Sequence, residues 1–153
     1  MRRRPHVPPR PTGWMRILPL LHETFTHETP DGTLRAWDVT EGNRIARQGH
    51  HILIFSLKDR NITPETVLSL YEGIDLKRAE TADLTRPLLF VPLGEEGLLI
   101  DGNHRLYRAA ELGVEELPMR QLTQEEADAI QWLHLPPGHG IDWREDNLPP
   151  SKS

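Results

Sequence analysis

The sequence has no cysteine among its 153 residues. This excludes disulfides, thiolate zinc sites and cysteine nucleophiles, and it is in keeping with a cytoplasmic protein. No run approaches the roughly 20 apolar residues that a membrane span needs, so we expect no membrane partner. The net charge of −5 excludes a chain-wide positive field that would gather nucleic acid.

Apolar residues make up only 37% of the chain, which contains 14 prolines and 11 glycines. Much of this dilution lies at the two ends. Residues 1–12, beginning "MRRRPHVPP", predict a flexible basic arm that either solubilises the chain or makes a weak nucleic-acid contact. Residues 134–153 predict a Pro/Gly-rich C-terminal tail. One folded domain is expected over 13–133, which is long enough to bury a core.

The pattern of apolar residues predicts an α+β domain with a small mixed sheet and flanking helices. The apolar run "HILIFSL" (51–57) predicts a buried strand. The stretch "RPLLFVPLGEEGLLID" predicts two strands around a four-residue turn at 94–97. Helices are predicted after the caps Thr63 and Thr123. Further strands are expected at 34–39 and 115–122.

Several polar side chains follow the second strand of that pair, in "LLIDGNHRLYRAAELGV" (98–114). A strand that turns into a helix exposes the first amides of the helix, and these amides attract an anion. Gly102 allows a sharp turn and a close approach of a ligand, and Asn103 is the predicted cap. His104 and Arg105 oppose the helix dipole unless an anion lies between them. The junction therefore predicts either a phosphate site or a turn whose cations face solvent.

Asp101 adds a second requirement to a phosphate site. A carboxylate beside a phosphate is repelled unless it binds a metal ion or takes a proton from a hydroxyl. Arg108, one helical turn beyond Arg105, can add a further phosphate contact. Phosphate binding with an acid at hand suits phosphoryl transfer or nucleotide hydrolysis.

The stretch "DGNHRLYRAAELGVEELPM" resembles the signature of the ParB/sulfiredoxin superfamily, and "RPLLFV" resembles the strand that precedes it in that family. The resemblance spans residues 50–122. It implies a ParB/sulfiredoxin-like fold that binds the phosphates of ATP, ADP or CTP. It also implies that the phosphates are held by Gly102, Asn103, His104 and Arg105, with Arg86 as a further contact. Free serine kinases of this fold carry an Asp-Gly-His-His-Arg motif, so the similarity implies that Asp101 activates an acceptor hydroxyl.

The chain departs from two branches of this superfamily. Sulfiredoxins have a cysteine where this chain has Asn103, so sulfinic-acid reduction is excluded. Partition-type ParB proteins have a sequence resembling "GERR" at the junction and continue into a helix-turn-helix domain. Here His104 replaces the first arginine of that motif, and too few residues follow residue 133 for a specific DNA-binding domain.

Two functions of different class follow from the sequence. The first is a phosphotransferase or NTPase that uses a nucleotide and Mg²⁺, with Asp101 and His104 as candidate catalytic residues and Asp101 as a candidate Mg²⁺ ligand. Its acceptor would be a small hydroxyl compound, water or a macromolecule. The alternative is a non-catalytic nucleotide-gated adaptor or a DNA-associated ParB-like protein. A nuclease is the least favoured, because the sequence builds no two-metal carboxylate cluster.

The remaining polar residues give weaker signals. His50 and His51 are adjacent before a strand, where neighbouring side chains point to opposite faces, so they do not form a metal pair. His134, His139 and Asp142 are loosely spaced, which is typical of a surface loop rather than a zinc site.

Overall fold

The structure is a computed structural model, and it describes residues 13–137. The arm at 1–12, most of the predicted tail, and His139 and Asp142 lie outside the described residues. Within this range the chain is α+β, as predicted. The strands are β1 (Trp14–Met15), β2 (Thr24–Glu28), β3 (Leu34–Asp38), β4 (Leu53–Ser56), β5 (Leu88–Leu93), β6 (Glu96–Asp101), β7 (Glu116–Gln121) and β8 (Gln131–Leu135). The helices are α1 (Val39–Arg47), α2 (Pro64–Leu70), α3 (Leu76–Ala79), α4 (Asn103–Leu112) and α5 (Gln124–Ile130).

The strands form two four-stranded sheets, so the prediction of one small mixed sheet was wrong. The first sheet has the order β1-β8-β3-β2, and all its pairs are antiparallel. The second has the order β4-β7-β5-β6 and is mixed, because β5 and β7 run parallel. The first sheet was missed because β1 is only two residues long and β8 follows α5 directly. Strand β8 also extends to Leu135, past the expected domain boundary at 133.

The second sheet lies at the centre of the domain. Leu88 and Phe90 of β5 pack into one core with α2 and α4. Leu89 and Val91 point the opposite way into a second core, which Trp37 and residues of α1 and α5 complete. A strand that is covered on both faces has a continuous apolar sequence, which explains the run "LLFV".

Both predicted helix caps are confirmed. Thr63 is the N-cap of α2 and forms a capping box with Thr66 in the first turn of the helix. Thr123 is the N-cap of α5 and forms another with Glu126. Within the described chain, 13–137, no helix is long and apolar enough to cross a membrane.

The prediction of a buried strand at 51–57 was wrong for most of its length. Among the strands of residues 13–137, β4 lies at the edge of the second sheet and pairs only with β7. Phe55 and Leu57 are buried, whereas Ile52, Leu53 and Ile54 are 47%, 49% and 62% exposed. Central strands and edge strands can both consist of a run of apolar residues, so the composition of residues 51–57 could not show which kind of strand they form.

Candidate functional site

The junction between β6 and α4 depends on a glycine. Gly102 is the N-cap of α4 and has a φ of +114°. A Cβ at this position would lie 2.5 Å from Cδ2 of Leu88, so the turn has no room for a side chain. Asn103 is not the cap that the sequence predicted: it is the first helical residue, and its Oδ1 accepts a hydrogen bond from the amide of His104 at 2.8 Å.

A cleft of about 450 Å³ lies at this junction. Its floor is formed by the junction residues 101–105, and we call the exposed Arg78 and Arg86 its rim arginines. The loop between α3 and β5 forms one wall, and β2 contributes a second wall from the other sheet. The remaining lining residues are Glu23, Thr24, Phe25, Val39, Thr81, Ala82, Asp83, Leu99 and Ile100.

The carboxylate of Asp101 is fixed through one of its two oxygens. Asn43 of α1 donates from Nδ2 to Oδ2 of Asp101 at 2.8 Å. The Nη2 atom of Arg105 forms an ion pair with the same oxygen at 3.1 Å. No residue in the described range 13–137 donates to Oδ1. Asp101 therefore has a set orientation, and its Oδ1 atom has no partner among the described residues.

Arg105 is buried, with 6% of its surface exposed. Its Nη1 atom donates to the carbonyl oxygens of Arg86 at 2.9 Å and Pro87 at 2.6 Å. Burial lowers the pKa of this guanidinium, and the Asp101 carboxylate opposes that shift. Because an arginine remains protonated in either case, these contacts form a charged clamp between α4 and the segment that enters β5.

His104 also makes a contact within the protein. Its Nε2 atom accepts a hydrogen bond from the amide of Asp75 at 3.0 Å, which connects the start of α4 to the N-cap of α3. Burial, and secondarily the charge of Arg78, lowers the pKa of His104. Both effects favour the neutral imidazole, whose Nε2 lone pair this bond requires.

The rim arginines differ from Arg105. Neither guanidinium has a hydrogen-bond or ion-pair partner within the described part of the chain, and both line the cleft. Asp83 lies beside them, and hydrogen bonds from Thr85 lower the pKa of its carboxyl. The charge of Arg86 contributes to the same shift. The rim thus offers two cations together with an ionised acid.

The other predicted residues lie elsewhere. Arg108 does not line the cleft: its Nη1 atom donates to the carbonyls of Glu80 and Ala82 and attaches the α3–β5 loop to α4. His50 pairs with Glu126 at 2.8 Å. Among residues 13–137, no group of three or more histidines, aspartates or glutamates could hold a metal ion.

Sequence reasoning missed two residues that complete the site. Asn43 is 58 positions before its partner Asp101, and a helical asparagine far along the chain gives no local signal. Arg78 belongs to a helix of four residues, which is too short to show a periodic pattern. Both residues reach the site only when elements distant in the sequence come together in the folded chain.

Comparisons with protein-family models, with curated proteins and with solved structures found no match to this chain.

Proposed function

We propose that this chain is a nucleotide-binding protein with a ParB/sulfiredoxin-like fold that acts as a phosphotransferase or NTPase. Its nucleotide would be ATP, ADP or CTP. The single observation that carries the proposal is the position of Asp101, whose Oδ1 is free of described partners in a cleft that also contains a helix start and two exposed arginines.

The phosphates would lie between the start of α4 and the rim. The amides of Asn103 and Arg105 have no acceptor among the described residues, and such amides at a helix start favour an anion. Arg78 and Arg86 supply guanidinium groups that can grip phosphate oxygens with paired donors. Arg105 would act mainly through its charge and its support of the junction, because its Nη1 donors already bind two carbonyls.

Asp101 would act as the general base. An acceptor hydroxyl at Oδ1 gives its proton to the carboxylate as its oxygen forms a bond to the terminal phosphorus. The bond between that phosphorus and the bridging oxygen breaks, and the leaving phosphate group keeps the electron pair. The ion pair with Arg105 offsets the charge of Asp101, which reduces its repulsion of the nucleotide. His104, also at the floor, would contact a phosphate only after exchanging its bond to Asp75.

A magnesium ion fits this donor set to a limited extent. Mg²⁺ is commonly held by one or two carboxylates together with substrate phosphates; Oδ1 of Asp101 is a carboxylate oxygen of the required kind, and it would then hold the ion instead of accepting the proton of the acceptor hydroxyl. When bound, the ion would neutralise charge on the phosphate oxygens. A two-metal nuclease is disfavoured, because the described residues contain no cluster of acidic or histidine ligands.

A nucleotide-gated adaptor is the second candidate. It is favoured by the ion pair between Asp101 and Arg105, which gives the carboxylate a structural role that needs no chemistry. In that case the nucleotide would order the α3–β5 loop, and the ordered loop would bind a macromolecular partner.

Nucleotide binding is tested by thermal unfolding with ATP, ADP or CTP, each with and without Mg²⁺. A ligand that binds only the folded state raises the melting temperature. Arg86→Ala and Arg78→Ala are each expected to weaken affinity about ten- to a hundredfold, since a charge-assisted contact contributes about 1.5–3 kcal/mol. Lys77→Ala, an exposed neighbour of Arg78 outside the cleft, is the control. Full affinity in both arginine variants would contradict the assigned phosphate position.

Asp101→Asn then separates the enzyme from the adaptor. The amide oxygen of asparagine can still accept from Asn43 and Arg105, so the fold should persist. If Asp101 is the base, product formation falls by at least about a hundredfold while nucleotide affinity holds or rises. If it holds Mg²⁺, magnesium-dependent affinity falls as well. Nucleotide binding by the native chain without any product would support the adaptor instead.

A further inference from the structure

One edge of the second sheet lacks the features that usually prevent a strand edge from pairing with another strand. Strand β4 pairs with β7 on one side, and no strand in the described range pairs with its other side. The amide of Leu57 donates to the carbonyl of Glu115 on the β7 side. Because backbone groups alternate along an antiparallel strand, those of Phe55 also face β7. The amide and carbonyl of Ile54 therefore point outward, together with those of Ile52 and Ser56.

The side chains on this edge are apolar on both faces of the strand. Ile54 and Leu53 point to opposite faces and are 62% and 49% exposed. No residue of β4 carries a charge. An exposed strand edge without charge, proline or bulge is a template for pairing with another strand.

The three other edge strands of the described chain are protected. Strand β1 has only two residues. Strand β2 exposes Thr24, Thr26 and Glu28, and β6 begins at Glu96 and ends at Asp101. The contrast identifies β4 as the one edge in this range that combines outward backbone groups with exposed aliphatic side chains.

We propose that β4 pairs antiparallel with β4 of a second copy of this chain, about a two-fold axis close to Ile54. A two-fold interface places the same surface on both partners. Antiparallel pairing at Ile54 brings its amide and carbonyl against those of the other Ile54, and it brings Ile52 opposite Ser56. Ile54 then lies against Ile54, and Ile52 lies against the uncharged Ser56, so no charged side chains of β4 are brought together. The two sheets join into one sheet of eight strands.

A second copy fits this edge better than an unrelated strand does. No residue of β4 carries a charge that would select a foreign sequence, whereas two-fold pairing places Ile54 against Ile54 and brings no two charges together within the strand. A foreign peptide that adds a strand would require the free chain to be a monomer, which the following experiment detects.

Sedimentation equilibrium of the full chain at micromolar concentrations tests the pairing. The native chain is expected to be a dimer. Ile54→Lys places two cations against each other and is expected to be a monomer. Leu70→Lys is the matched control, because Leu70 is 63% exposed on α2 and lies outside β4, so this variant should remain a dimer. A monomeric native chain, or an Ile54→Lys variant that is still dimeric, would overturn the proposal.

A second measurement keeps the proposal testable if Ile54→Lys fails to fold. The chain has no cysteine, so Ile54→Cys introduces a single thiol on a smaller, uncharged side chain. A short bis-maleimide should link two copies of this variant efficiently and should link the Leu70→Cys control poorly. Equal yields for the two variants would overturn the two-fold pairing at Ile54.

Discussion

Arg105 at the floor of the cleft and Arg86 at its rim carry the same guanidinium in different surroundings. Arg105 is buried and reaches the Asp101 carboxylate and two backbone carbonyls. Arg86 is exposed, and its guanidinium has no hydrogen-bond partner within residues 13–137. The carbonyl oxygen of Arg86 nevertheless accepts a hydrogen bond from Arg105. The two residues are therefore in contact, but their guanidinium groups have different surroundings.

This difference distinguishes an arginine that stabilises the fold from one whose side chain the fold does not use. A buried charge with several partners is costly to disrupt, because its loss leaves those partners unpaired. An exposed charge contributes little to the free energy of unfolding. Within the junction motif, Arg105 therefore stabilises the fold, whereas the guanidinium groups of the rim arginines are exposed.

Arg105→Ala is expected to have the largest effect on stability. It leaves the Asp101 carboxylate without its cation and the carbonyls of Arg86 and Pro87 without a donor. Removing one member of a buried ion pair costs about 3–5 kcal/mol. Because Asn43 still donates to Asp101, we expect about 3 kcal/mol, measured by urea unfolding.

Arg86→Ala is the matched control for that measurement. Its loss should change the free energy of unfolding by less than about 0.5 kcal/mol, as is usual for a surface substitution. Similar losses of unfolding free energy in Arg105→Ala and Arg86→Ala would contradict the conclusion that Arg105 stabilises the fold and Arg86 does not.

Asn43→Ala is expected to have a smaller effect. The Nδ2 group of Asn43 donates to Asp101 and, at 3.2 Å, to the carbonyl of Val39. Losing these bonds should cost about 1–2 kcal/mol, with Arg47→Ala on the exposed side of the same helix as the control. If the proposed enzyme is correct, turnover should fall more than nucleotide affinity, because Oδ2 of Asp101 loses one of its two partners. A parallel fall in both would indicate a general loss of structure.

The junction was predictable from the sequence because its signals are local. Gly102 follows an apolar strand, and the helix after it ends at Gly113, whose φ is +71°, as expected for a C-terminal glycine. The role of Arg105 was not predictable in the same way. Its carbonyl partners belong to residues 86 and 87, and only the folded chain brings them to the guanidinium. The Asn43–Asp101 bond and the first sheet were not predictable for the same reason, because both depend on contacts between distant segments.

The pH dependence contributed by His104 should be the smallest of these effects. In the folded chain, burial and the charge of Arg78 lower the pKa of His104, and its Nε2 accepts from the amide of Asp75. In the unfolded chain its pKa returns to about 6.5. Below that pH the unfolded state binds a proton that the folded state resists, so the stability contributed by His104 is present above about pH 6.5 and decreases as the pH falls.

His104→Gln isolates this contribution, because the Oε1 atom of glutamine can accept the same amide and does not titrate. His27 and His134 also have lowered pKa values, but they are common to both proteins and cancel in the difference. Between pH 7.5 and pH 5.5, the melting temperature of the native chain should fall by more than that of the His104→Gln variant. An identical loss would mean that His104 is free to protonate in the folded chain. In that case a protonated His104 could bind an anion, as the rim arginines could.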